Sequence, residues 1–202
     1  MVELAARRLL WPDGRLAPGV VHVEGDRIVA VEPTVDDPPD LVIAPGFVDL
    51  QVNGHDDVDV ARAVGADWDR LDGLVAAQGV TTWCPTLVTA PPDRLAPALE
   101  RIAAAARRPG ARPAIAGAHL EGPFLGDRPG AHRADWFVDP TPERLAAIGD
   151  GVAIVTLAPE RPGALDAIAE LAGRGVVVAL GHSGADHASA LVAADAGATL
   201  VT

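Results

Sequence analysis

The 202-residue sequence has no lysine and no tyrosine, and aromatic residues make up only 3% of it. All 16 basic residues are arginine and are outnumbered by 28 acidic ones, for a formal net charge of -12. A surface that negative repels phosphate backbones and anionic lipid, which excludes nucleic acid and membrane as partners and leaves small molecules. Cysteine is nearly absent too: Cys84 stands alone, so no disulfide forms within the chain, and its apolar run marks it as a buried structural thiol in a reducing compartment. No apolar run reaches membrane-spanning length, and the opening "MVELAARRLLWPDGR" lacks the apolar core and small-residue cleavage site of a signal peptide. These features predict a cytoplasmic protein.

What is present is a change of style part-way along. Residues 1–40 alternate short apolar runs with turn formers, and Asp13-Gly14 and Gly25-Asp26 read as hairpin turns between β-branched segments. The expectation is a small N-terminal β domain, with the acidic, proline-rich "PTVDDPPD" as a linker. From Leu41 to Thr202, near-continuous apolar runs alternate with alanine-rich helical segments, giving six strand candidates. Strands buried on both faces and joined by helices are parallel-sheet strands. Gly79, Gly175 and Gly197 each follow a helical segment and precede a strand, as helix-ending glycines do. The fold class is therefore α/β, and the alternation over residues 41–202 is the pattern of (β/α)8 barrels.

The polar residues collect at the carboxyl ends of these strands, which is where α/β folds carry their chemistry: Gln51 and Asn53, Glu121, Glu160, and His182. In "GAHLEGPFL", side-chain alternation puts His119 and Glu121 on one face of a buried strand. An ionised carboxylate there needs a cation, and no lysine can supply it; an arginine or a metal ion remains. His182 ends the β-branched "VVVALGHSG" at the same mouth, and neutral imidazole is the commonest metal ligand. Glu121 and His182 are thus the candidate metal ligands. At the end of the first barrel strand, "GFVDLQVNG" puts Asp49, Gln51 and Asn53 on one face, and the amides of Gln51 and Asn53 are poor ligands beside imidazole, which favours one divalent ion over two. Zinc is the first choice for that ion, with iron or another divalent ion as alternatives. Cys84 lies mid-strand, and the sequence shows no base for Ser183, so covalent nucleophilic catalysis has no candidate.

The segments "IAPGFVDLQVNG", "GVTTWCPTLVT", "GAHLEGPFL" followed by "PGAH", "VTLAPE" and "VVVALGHS", in this order, resemble the N-acetylglucosamine-6-phosphate deacetylases of the amidohydrolase superfamily. The resemblance implies metal-dependent removal of the acetyl group from a phosphorylated amino sugar, with Glu121 and His182 as metal ligands and Ala131 and His132 of "PGAH" as sugar contacts. It also implies a third histidine ligand, a general-base aspartate and the strands closing both domains beyond Thr202, so the chain is expected to be truncated, with no catalytic residue of its own. A homodimer is expected for the full-length protein. His119 is assigned to support or packing, His55 to an exposed loop, and the acidic residues around His55 to a solvated face. Two alternatives stand beside this reading. One is an inactive fragment; the other is a two-metal cyclic-amide hydrolase of the dihydroorotase kind, which the missing His-x-His and the missing bridging lysine oppose.

Overall fold

The computed structural model describes residues 1–202, which divide by contacts into Met1–Gly46 and Phe47–Thr202. The first unit is a four-stranded sheet of β1 (Val2–Leu10), β2 (Leu16–Glu24), β3 (Arg27–Pro33) and β4 (Val42–Ile43), in the order β3-β2-β1-β4. The two hairpins turn where glycine permits a left-handed backbone, with Gly14 at φ 83° and Gly25 at φ 61°. The segment after β3 contains the proline-rich stretch and then β4, which runs parallel to β1 through the pairs Arg8 with Val42 and Leu9 with Ile43.

The second unit carries β5 (Phe47–Val52), a minor hairpin of β6 (Gly54–His55) and β7 (Val58–Asp59), α1 (Asp67–Ala77), β8 (Val80–Val88), α2 (Pro92–Ala106), β9 (Ala114–Ile115) and β10 (Ala118–Glu121). It continues through α3 (Pro142–Ala146), β11 (Val152–Leu157), α4 (Ala164–Gly173), β12 (Val177–Leu180), α5 (His187–Asp195) and β13 (Ala198–Val201). The six main strands are parallel and ordered β13-β12-β11-β10-β8-β5, a curled partial barrel in which sequence neighbours are spatial neighbours. All six expected strands are present.

The helices form because their apolar residues recur at helical spacing. α1 buries Trp68, Leu71 and Val75, and α4 buries Ala164, Ala167, Ile168 and Leu171, each set lying along one face turned to the sheet. Gly79, Gly175 and Gly197 follow α1, α4 and α5 with positive φ, ending each helix and turning the chain into the next strand. β10 is buried at all four positions, and β11 at five of six with Ala153 intermediate, so both faces are covered and a polar side chain within them must be hydrogen-bonded in place. Beyond the regular strands the ladder continues from loop to loop: Gly122 N donates to Thr156 O at 3.0 Å, Gly181 N to Leu157 O at 3.1 Å and Thr202 N to Leu180 O at 3.0 Å. These bonds hold the loops that carry the mouth.

Candidate metal centre at the strand mouth

Glu121 is the last residue of β10, with 6% exposure, and its partner is not an arginine. His182 Nε2 lies 2.8 Å from Glu121 Oε1, and His132 Nε2 lies 3.7 Å from Glu121 Oε2. One ligand atom from each of Glu121, His132 and His182 lies within 4.8 Å of the others. The arginine pairing left open by the sequence does not occur, and His132 arrives as a third member of the group.

The tautomer of His182 is set by its other nitrogen. Nδ1 sits 3.1 Å from the carbonyl oxygen of Arg128, which can only accept, so Nδ1 carries the hydrogen. With Nδ1 holding a hydrogen, Nε2 meets a carboxylate oxygen 2.8 Å away either through a second hydrogen or with a lone pair. Two acceptors at that distance repel unless a positive charge, a proton or a metal ion, lies between or beside them. A carbonyl fixing one ring nitrogen while the other faces a cation is the usual arrangement around a metal-bound histidine. The separations of 2.8 and 3.7 Å bracket the edge of about 3.3 Å that ligand bonds of 2.0–2.1 Å give in a tetrahedral site. The donor set of one carboxylate and two imidazoles therefore fits a borderline divalent ion such as zinc.

The loops are built tightly around these side chains. Gly122 has φ 88°, and a Cβ there would collide with Thr89 Oγ1, which donates to the Glu121 carbonyl at 3.0 Å. His132 sits in a turn closed by its own N–H to Pro129 O at 3.0 Å, and its ring meets His182 edge-on at 4.4 Å between centroids. The His132 side chain is 4% exposed, and its Nδ1 has no hydrogen-bond partner. Ala131 is exposed on the same loop.

Burial works to raise the Glu121 pKa, but the His182 contact, the nearby imidazoles and a hydrogen bond from Gln51 outweigh it and hold the carboxyl below the ordinary glutamate range. Burial pushes His132 down, the neighbouring His182 pushes the same way, and Glu121 pulls it back only in part. His119, one turn of the pleat below Glu121, is tied off: Nδ1 donates to Leu50 O at 2.8 Å, leaving Nε2 to accept from Thr156 Oγ1 at 2.7 Å. Burial keeps its pKa low and the ring neutral, and it links β5, β10 and β11.

The remaining strand-end residues divide. Gln51 joins the mouth, where its Oε1 accepts from Thr202 Oγ1, while Asn53 is exposed and does not. Ser183 does have a carboxylate beside it, since its Oγ donates to Glu160 Oε2 at 2.6 Å, but the same oxygen accepts from Ala185 N at 2.9 Å and serves the turn. His55 is not in a loop; it lies in β6 with its ring against the Gln78 amide. Asp56 and Asp57 both pair with Arg70 and stay largely exposed.

No protein-family model matches the chain. It is 39% identical over 171 residues to the N-acetylglucosamine-6-phosphate deacetylases of rat and of human, covering 80% of this chain and 42% of each relative. It is 36% identical over 203 aligned positions to an N-acetylgalactosamine-6-phosphate deacetylase of Escherichia coli, covering 96% of this chain and 54% of that one. Among solved structures, N-acetyl-D-glucosamine-6-phosphate deacetylase of Mycobacterium smegmatis, in complex with N-acetyl-D-glucosamine-6-phosphate, superposes with a TM-score of 0.88 at 35% identity, over 99% of this chain and 54% of that one.

Over most of its own length the chain is similar to deacetylases of phosphorylated N-acetyl amino sugars. It spans about half the length of the curated relatives it matches. Within these 202 residues, strand-end position pointed to Glu121 and His182, but it could not show that the irregular segment after β10 folds back to bring His132 beside them. The signal that pointed there was the "PGAH" turn alone.

Proposed function

We propose that this chain supplies part of the active site of a metal-dependent deacetylase that converts N-acetyl-D-glucosamine 6-phosphate to D-glucosamine 6-phosphate and acetate. The observation that carries the reading is the 2.8 Å approach of His182 Nε2 to Glu121 Oε1 with Nδ1 already committed to Arg128 O. Glu121 and His182 hold one divalent ion, zinc or iron. His132 closes the third side of the group, and with Ala131 it faces the sugar. When bound, such an ion lowers the pKa of a water to about 7 and polarises the acetyl carbonyl. The buried carboxylate of Glu121 keeps its charge at neutral pH, and the Arg128 carbonyl keeps the His182 lone pair aimed inward. The side chains of Glu121 and His132 are 8% and 4% exposed, so bulk water competes little for them. The proton moves of amide cleavage fall to a general-base aspartate outside these 202 residues, and a homodimer is proposed for the full-length protein by resemblance alone. No helix is long and apolar enough to cross a membrane.

A second substrate stands on a specific observation: the N-acetylgalactosamine-6-phosphate deacetylase aligns over 96% of this chain. The two sugars differ at one hydroxyl, so acetate release from each by the full-length protein decides between them. A kcat/KM at least tenfold higher for the glucosamine derivative supports the proposal, and the reverse preference overturns the sugar assignment while leaving the deacetylase reading intact. Release from neither sugar overturns both.

A further inference from the structure

His182 has φ 51°, in the left-handed region that a residue with a Cβ rarely occupies, so something must hold the turn that presents it. The contacts that follow it in the chain converge on one side chain. Glu160, three residues beyond the end of β11, sends its carboxylate across to the neighbouring loop. Oε2 accepts from Ser183 Oγ at 2.6 Å and Oε1 accepts from Gly184 N at 2.8 Å. Ser183 Oγ in turn accepts from Ala185 N at 2.9 Å, so the three residues after His182 are bound into one network anchored on Glu160.

The surroundings are shaped for this carboxylate. A Cβ at Gly126 would collide with Glu160 Oε1, and Gly126 N donates to the His182 carbonyl at 2.9 Å. A Cβ at Gly184 would collide with the Asp127 carboxylate. Glycine at both positions lets the loops after β10, β11 and β12 close on one another. Nor is Glu160 absorbed by an ion pair: the guanidinium of the adjacent Arg161 bonds Asp139 at 2.9 Å.

We infer that Glu160 is a positioning residue of the metal centre, clamping the Ser183–Ala185 turn so that the strained backbone of His182 keeps its imidazole aimed at Glu121. The inference rests on the proposed role of His182 as a metal ligand. It acts on that ligand through the backbone and touches neither metal nor substrate.

The test uses the full-length protein stripped of metal and titrated with zinc against a competing chelator, in the parent, Glu160→Ala, Glu160→Gln and Ser183→Ala. Loss of an outer partner of a metal ligand weakens affinity about 10- to 100-fold, which is the loss expected for Glu160→Ala. Glu160→Gln should stay within about threefold of the parent, because its amide oxygen still accepts from Gly184 N and its amide nitrogen can donate to the Ser183 oxygen. Ser183→Ala should fall between. Amide exchange at Gly184 in the metal-free protein supplies a readout independent of zinc, and it should quicken at least tenfold in Glu160→Ala and hardly at all in Glu160→Gln. Parent-like zinc affinity in Glu160→Ala, or equal weakening in the Ala and Gln variants, overturns the clamp. If the parent itself binds no zinc, the metal reading fails on its own, and unchanged Gly184 exchange in Glu160→Ala then overturns the clamp separately.

Discussion

The two sheets of this chain are built on opposite plans. In Met1–Gly46 the strands are antiparallel except for the short β4, and the buried apolar side chains are Ala6, Leu9 and Val21, whereas Ile28, Val29, Val31 and Leu4 are exposed. In Phe47–Thr202 the six main strands are parallel, and the central β10 and β11 are covered on both sides. Inside a strand buried on both faces a polar side chain must be tied off by hydrogen bonds, as His119 is to Leu50 O and Thr156 Oγ1, so groups free to meet a ligand stand at the strand ends. The ends of β10 and β12 are where Glu121 and His182 stand, while the small sheet offers only partly exposed pairs such as His22 with Glu3 and Glu32. Double burial is what concentrates the polar chemistry at one mouth.

The difference predicts unequal sensitivity. Leu157→Ala, at a side chain with 0% exposure in β11, should cost about 2–5 kcal/mol in denaturant unfolding. Val29→Ala, at 50% exposure in β3, should cost less than about 1 kcal/mol. Comparable losses at the two sites would break the contrast.

Ion pairs sharpen it at a smaller scale. The Asp72 side chain is 7% exposed and accepts from Arg108 and, at 3.2 Å, from Arg112; Asp72→Ala should cost about 2 kcal/mol by leaving two guanidinium groups short of a partner. The Arg7–Asp37 pair at 2.7 Å is exposed on both sides, and Asp37→Ala should change stability by less than about 1 kcal/mol and less still at high salt. Smallest is the effect expected at Cys84. Burial, with the Asp49 charge assisting, pushes its thiol pKa up, so a thiol reagent at pH 8 should leave it unmodified until denaturant is added. Rapid labelling of the native chain would show that β8 is not sealed on both faces.

Much of this architecture could be read from the residues, for identifiable reasons. Asp13-Gly14 and Gly25-Asp26 announced the hairpins because only glycine fits their turns cheaply, and the unbroken runs of β8, β11 and β12 announced parallel strands because alternation was missing. The β4 pairing was not legible, since two residues after a proline-rich stretch carry no period. At the mouth, strand-end position pointed to Glu121 and His182, but their 2.8 Å approach depends on how far the sheet curls, which no local pattern encodes. His132 and Glu160 sit in loops, where neither a helical nor a strand period exists to aim a side chain. That is why Ser183 lacked a base in the sequence and has a carboxylate beside it in the structure.

If Glu121 and His182 hold a divalent metal ion, the metal content of purified full-length protein must depend on both side chains. The parent should carry about one equivalent of zinc or another divalent ion per chain. Glu121→Gln and His182→Asn should each lose most of it, the asparagine being a fair test because it tolerates the left-handed backbone of residue 182. His55→Asn should retain it. Parent-level metal in the folded Glu121→Gln protein would show that Glu121 is not a ligand.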